Sequence, residues 1–299
     1  MRKQTIKRTA ALVLAALVLY SGSLPAQTDA ATKANQAAKA YEPVSDQAQL
    51  YVNELAQQPS FDSWKGAKLD ISPLGPGTHS WLVIVKQSGD NVGYLVIQAT
   101  EAGGYKLGEY GIGSRPLFSA QTLSFSVKQL GTTRTKKVVE QLYSHPLLTA
   151  WKITADGQTT IADAASGELL PVSSANWTKA AETTLSGMSS QTAPPETTLL
   201  KAITLPSFPP YGKMPWLTDT PLKLKAGSHR ELLSAINNKE QLRYTVELFF
   251  GEMLYVWSVV GYGKWDNSQV YIALEADDDG TSRRYIPLPL LLDLGHFYR

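Results

Sequence analysis

Two apolar runs dominate the hydrophobic pattern of the chain, Ser80 to Lys86 and Asn91 to Gln98, separated by Ser88, Gly89 and Asp90. A third run, Gly104 to Tyr110, follows the turn Glu101-Ala102-Gly103. β-branched and aromatic residues bounded by Gly, Asp and Asn predict an antiparallel meander. Nearly every position of the first two runs is apolar, so this sheet is expected to be covered on both faces. Upstream, Ala48, Tyr51, Val52 and Leu55 recur at i, i+3, i+4 and i+7, which predicts a helix capped by Ser45 and closed by Pro59. Downstream, Ser119 caps a helix carrying Leu123, Val127 and Leu130, with Gly131 as its stop. Val138 to Tyr143 is apolar but too short to choose between helix and strand. Leu147 to Thr154 and Gln158 to Ala162 form a hairpin around Asp156-Gly157.

The second half begins with a change of composition. Ser173 to Pro195 is rich in Ser, Thr and Ala and reads as a linker, with a short helix over Asn176 to Leu185. Pro206, Pro209, Pro210, Pro215 and Pro221 then stiffen a lead-in whose Phe208, Tyr211 and Trp216 are expected to pack on the following domain. Ser228-His229-Arg230-Glu231 is a capping box that opens a helix with Leu232, Leu233 and Ile236 on its apolar side. Four strands are predicted over Leu242–Phe250, Met253–Tyr262, Gln269–Ala276 and Arg283–Ile286. Their turns fall at Gly251-Glu252, Lys264–Ser268 and Asp277–Gly280, and Pro287 opens a last helix over Leu288–Leu294. The expected class is α+β. Two small modules, 44–172 and 222–299, each combine an antiparallel sheet with one or two helices, and 173–221 joins them.

The N-terminus adds a destination. Arg2, Lys3, Lys7 and Arg8 precede an apolar stretch from Ala10 to Tyr20, and small or polar residues follow to Ala31. That is the pattern of a secretory signal peptide, short for a membrane span. Cleavage fits after Ala26 or after Ala30, better after Ala30 with Thr28 at the −3 position; a membrane anchor remains the alternative if the segment is kept. Residues 1–30 are thus read as signal and 31–43 as a spacer. Loss of 1–30 leaves 24 basic against 25 acidic residues, so the basic balance of the whole chain gives no reason to expect nucleic acid as a partner. The chain has no cysteine, which excludes disulfides, thiolate nucleophiles and Cys-ligated zinc. The expected location is outside the cell, secreted or held at the envelope of a Gram-positive bacterium.

Little in the chain points to catalysis. His79, His145, His229 and His296 are scattered, with no His-x-His or His-Glu-x-x-His spacing, so neither a metal nor another cofactor is expected. There is no Gly-x-Ser-x-Gly elbow and no Ser-x-x-Lys pair. Gly111-Ile112-Gly113 lacks the third glycine and the lysine of a phosphate loop, and Asp277–Asp279 lacks the ligand spacing of a calcium loop. Aromatic residues crowd the second module instead. Tyr255 and Trp257 share one strand face with Val259, and Trp265 falls in a polar turn beside Lys264, Asp266 and Asn267. Exposed aromatics next to polar groups stack on sugars or peptides, which makes Tyr255, Trp257 and Trp265 the candidate ligand-binding residues.

Two stretches resemble known families. A strand with Trp151, a short turn, a return strand and then Asp163-Ala164-Ala165-Ser166-Gly167-Glu168 resembles the closing hairpin of PepSY-type exported modules. The stretch Gly93 to Thr100 is similar to the propeptide and inhibitor modules of streptopain-type proteases. Together these cover residues 45 to 172. Residues 228 to 290 resemble the sheet of papain-like cysteine peptidases of the bacteriocin-processing type, with Gly261-Tyr262 at the matching strand end. Tyr255 holds the position of that family's His, and no Cys is present, so this resemblance implies a peptidase fold without the chemistry. The resulting expectation is a non-enzymatic binding protein, propeptide- or inhibitor-like, whose partner is an extracellular protein, a peptide or a cell-envelope polymer. A hydrolase with a Ser/His/Asp site dispersed in sequence and a cell-surface structural protein are the alternatives.

Overall fold

The computed structural model describes residues 43–75, 79–101, 103–131, 137–187, 196–224, 229–280 and 282–299. The described residues belong to one compact unit; the predicted signal segment and the spacer up to residue 42 lie outside them, and Pro43, its last residue, already belongs to the first helix. The chain opens with helix α1 over 43–55 and a 3₁₀ turn at Pro59–Trp64. Strands β1 (Lys68–Leu74), β2 (Ser80–Gln87), β3 (Asp90–Ala99) and β4 (Tyr105–Gly113) follow as the expected meander, extended by β1. After α2 (Ala120–Gln129) come β5 (Lys137–His145), β6 (Leu148–Ala155) and β7 (Gln158–Asp163). The remainder is α3 (Ser174–Gly187), β8 (Leu199–Thr204), α4 (Arg230–Asn237), β9 (Leu242–Leu248), β10 (Met253–Trp265), β11 (Val270–Glu275), β12 (Ser282–Pro287), α5 (Leu288–Leu294) and β13 (Gly295–Tyr298). No helix among the described residues is long and apolar enough to cross a membrane.

The class is α+β, with two antiparallel sheets and few helices. The small sheet is β5-β6-β7. The large one has ten strands in the order β1-β2-β3-β4-β12-β11-β10-β9-β13, with β8 added on β10. Strands from before residue 114 and from after residue 198 share it. They meet where β4 pairs with β12, Tyr110 opposite Tyr285 and Gly111 opposite Arg284. Each half offers an edge of unpaired N–H and C=O groups, and joining the edges satisfies both.

Both faces of the meander are covered, as its continuous apolar runs require. Val83, Val85, Leu95 and Ile97 point toward α1 and the 3₁₀ turn. Leu82, Tyr94 and Val96 point toward α2 and the small sheet, meeting Phe118, Trp151 and Ile153. The opposite face of the small sheet, with Leu148, Ala150 and Ile161, joins Trp177 of α3, Leu232 of α4 and Leu291 of α5 over the second half of the large sheet. The helix expected inside the linker is thus a core element, since Trp177, Ala180 and Ala181 are buried.

Several local expectations hold for local reasons. The Ser119 side chain accepts from Thr122 N at the start of α2. Asp156 and Gly157 both take positive φ, as a type I′ hairpin turn needs. Others shift. Ser228 lies outside the described residues, and α4 starts at Arg230 without a side-chain cap bond from His229. The hairpin turn placed at Gly251-Glu252 is longer, because Phe249 and Phe250 already leave the strand with positive φ.

β10 carries the most consequential irregularity. Its first part pairs with β9, and its last part pairs on the same side with β8. A bulge between Val259 and Gly261 makes the change of partner possible. Gly261 sits there at φ 143°, and a Cβ would overlap Ile203 O. Gly261→Ala is therefore expected to lower stability by about 3 kcal/mol in urea denaturation, through the clash and the strained φ together.

Candidate functional site

Three places in the fold concentrate chemistry: an aromatic column on β10, a buried ionic network at the seam of the large sheet, and a groove beside the proline-rich lead-in. The first holds two of the residues singled out from sequence. Tyr255 stacks on Trp257 with ring centroids 5.4 Å apart and planes 9° apart, and Trp257 stacks on Tyr244 at 6.0 Å. Tyr244 leans on Phe297 at 4.9 Å and donates its hydroxyl to Leu291 O. The column is a packing element against α5 and α3: Trp257 is buried, Tyr255 half-buried. Burial, then the charges of Asp163 at the end of β7 and Glu168 just after it, push the Tyr255 phenol well above its ordinary range.

Trp265 is elsewhere and fully buried, which corrects its placement in an exposed turn. It ends β10, pairs with Leu199 of β8, and meets Tyr51 of α1 edge-on at 5.9 Å and Tyr110 at 6.4 Å. Pairing with β8 draws the end of β10 inward. The turn that follows is held by Asp266, which accepts from Thr197 N, Thr198 N and Asn267 N. The three aromatic candidates therefore do not form one surface.

The seam carries a buried ion pair. Glu109 of β4 is fully buried. Its Oε2 accepts from Arg284 Nη2 and from the Tyr94 hydroxyl, each at 2.8 Å, and its Oε1 accepts from the Tyr143 hydroxyl at 3.2 Å. Arg284 also donates to Pro146 O. Both carboxylate oxygens are thus committed within the fold. His145 lies beside this network with Nδ1 accepting from Leu147 N, while Nε2 is buried without a hydrogen-bond partner among the described residues. Burial first, and then the Arg284 charge, lower the His145 pKa to about 3, so the imidazole is neutral at pH 7. Among the described residues no histidine side chain bonds to a carboxylate or a hydroxyl side chain, and no cluster of three or more His, Asp or Glu is placed to hold a metal.

The groove is a concave feature among the described residues. It has a volume of about 760 Å³ and lies between the lead-in and the ends of β9 and β13. Lys213, Met214 and Pro215 form one wall; Gln241, Arg243 and Arg299 form the other. Pro210 and Pro215 each open a 3₁₀ turn, with Pro209 just before, so the backbone is stiff. Ser258 Oγ donates to Phe208 O at 2.6 Å and Arg243 Nε donates to Pro210 O at 2.8 Å, which pins the segment to β9 and β10. Phe208 packs inward as expected from sequence. Its neighbours do not: Tyr211, Met214 and Leu217 are 59%, 51% and 67% exposed. Tyr211 and Trp216 meet edge-to-face at 6.0 Å and 84°. The proline spacing was the sequence signal for this wall; Arg243 and Arg299, distant in sequence, left none.

No protein-family model matches the chain, and no curated protein and no solved structure matches it.

One pH response follows from the seam. The unfolded chain binds a proton on His145 near pH 6.5, and the folded chain only near pH 3. Stability from this group is complete above pH 6.5 and is lost as the pH falls through that window, by about 1.4 kcal/mol per pH unit. His145→Gln is expected to flatten this part of the decline, measured by urea denaturation between pH 7 and pH 4.

Proposed function

We propose that this chain is an exported, non-catalytic binding protein that holds an extended peptide in the groove beside its proline-rich lead-in. The observation that carries this reading is the exposure of Met214 on the groove wall, with Tyr211 and Leu217 exposed beside the groove on the same segment, stiffened by Pro209, Pro210 and Pro215. Three large apolar side chains turned to water within seven residues contribute nothing to a core, and such clusters mark interaction surfaces. Stiffness matters because a preorganised wall loses little entropy on binding. Tyr211 and Trp216 stand nearly perpendicular, which makes a corner for a proline ring or an aliphatic side chain. A flat sugar face wants a parallel platform, so the peptide is favoured over a cell-envelope polymer. The non-catalytic part of the reading is supported by the seam, where Glu109 and Arg284 have their bonds within the fold.

The test is an array of random decapeptides probed with the full chain, alongside sedimentation with purified peptidoglycan. The expected result is a subset of peptides bound with Kd near 1–100 μM, on the order of −6 to −8 kcal/mol. Tyr211→Ala and Met214→Ala are expected to weaken binding at least tenfold. Phe125→Ser, at an exposed apolar position on α2, is expected to leave it unchanged. Equal binding by all three variants, or association with peptidoglycan alone, would sink the reading.

A further inference from the structure

The groove holds a cationic side chain that forms no ion pair among the described residues. Arg243 of β9 forms part of its wall, yet the residue is only 2% exposed. Its Nε donates to Pro210 O at 2.8 Å, its Nη1 reaches Gln241 O at 3.5 Å, and its guanidinium lies over the Phe208 ring at 5.1 Å. These contacts hold the side chain in one orientation but bring no negative charge. No carboxylate among the described residues forms an ion pair with it. Of the two acids in the groove lining, Glu240 pairs with Arg299 at 2.9 Å, and Asp219, which accepts from the Thr218 hydroxyl, forms no ion pair with Arg243. Arg299 is neutralised further by Glu231 at 3.2 Å.

A buried guanidinium is costly to leave without an anion, and such groups are ordinarily paired. The end-on N–H groups of Nη1 and Nη2 form a planar fork whose geometry matches a carboxylate. We infer that Arg243 is the anchor for a carboxylate of the bound ligand, the acidic end of a peptide whose apolar neighbour lies against Met214 and Pro215. Lys213, exposed on the same wall, adds positive charge on the approach. Asp219 and Glu240 in the lining disfavour a dianion, so a singly charged carboxylate fits where a phosphate does not. The inference rests on the peptide-binding reading and deepens it. It assigns the class of ligand group and the residue that reads it.

N-acetyl-prolyl-leucine and its C-terminal amide are the probes, titrated into the full chain with the Arg Nε–H and Trp Nε1–H resonances followed by NMR. The acid is expected to shift the Arg243 Nε–H signal and to bind at least fivefold more tightly than the amide. Comparing the two probes on the unaltered protein keeps the test valid even where Arg243→Gln fails to fold; where it folds, that variant is expected to bind acid and amide alike. Equal binding of acid and amide to the unaltered protein, with the Trp216 signal shifting, overturns the carboxylate anchor and leaves the peptide groove standing. Inorganic phosphate displacing the acid at equal concentration overturns the choice of carboxylate. No shift with either probe at 10 mM, together with a blank decapeptide array, overturns both readings.

Discussion

The pairing of Glu109 with Arg284 across the β4–β12 seam is the interaction on which the architecture turns. It joins a strand from the first half of the chain to one from the second, 175 residues apart in sequence. Tyr94 and Tyr143 complete the carboxylate, and Pro146 O takes a further guanidinium N–H. The small sheet is thereby tied to the same point as the two halves of the large one. Taking these charges out of water costs several kcal/mol per ion, so the pair need not add net stability. Its value lies in discrimination: any other register at the seam would strand a buried carboxylate or guanidinium, a penalty of about 3–5 kcal/mol.

A second constraint brings the chain back across α1. Glu196, where the described chain resumes after 187, sends Oε1 to Leu107 N and the Tyr271 hydroxyl and Oε2 to Asn267 Nδ2. Burial raises its carboxyl above the usual range, and these hydrogen bonds pull in the other direction. Glu54 of α1 accepts from Leu199 N, so β8 is aligned from both sides. Once β8 lies on β10, Trp265 is covered and the lead-in must leave along the face that carries Arg243 and Ser258. The groove is a consequence of that path. Its position opposite the small sheet follows from strand alternation, since Tyr244 and Trp257 occupy the other face of the same two strands.

The meander, the Ser119 cap, the Asp156-Gly157 turn and the closing helix after Pro287 were legible because each depends on neighbours in the chain. The α+β class followed from the same local signals. β8 and β13 were not legible: Leu199–Thr204 and Gly295–Tyr298 are short, and their strand character comes from the partners they find on β10 and β9. Trp265 shows the same limit at one residue. Its neighbours Lys264, Asp266 and Asn267 are those of a turn, yet a partner strand distant in sequence decides that it is core.

The candidate site divides along that line. The proline spacing that stiffens the lead-in, and the aromatic and apolar residues it carries, are properties of the sequence, because proline fixes φ whatever surrounds it. Which of those side chains face water was decided by tertiary structure, for Phe208 turns inward while Tyr211, Met214 and Leu217 do not. That Arg243 forms no ion pair among the described residues is likewise invisible in a list of residues. The sequence by itself determined local elements, turns and the stiffness of one segment, which act over a few residues. The seam, the path of the returning chain and the setting of Arg243 in the groove depend on long-range pairing, and only the folded arrangement decides what each buried polar group meets.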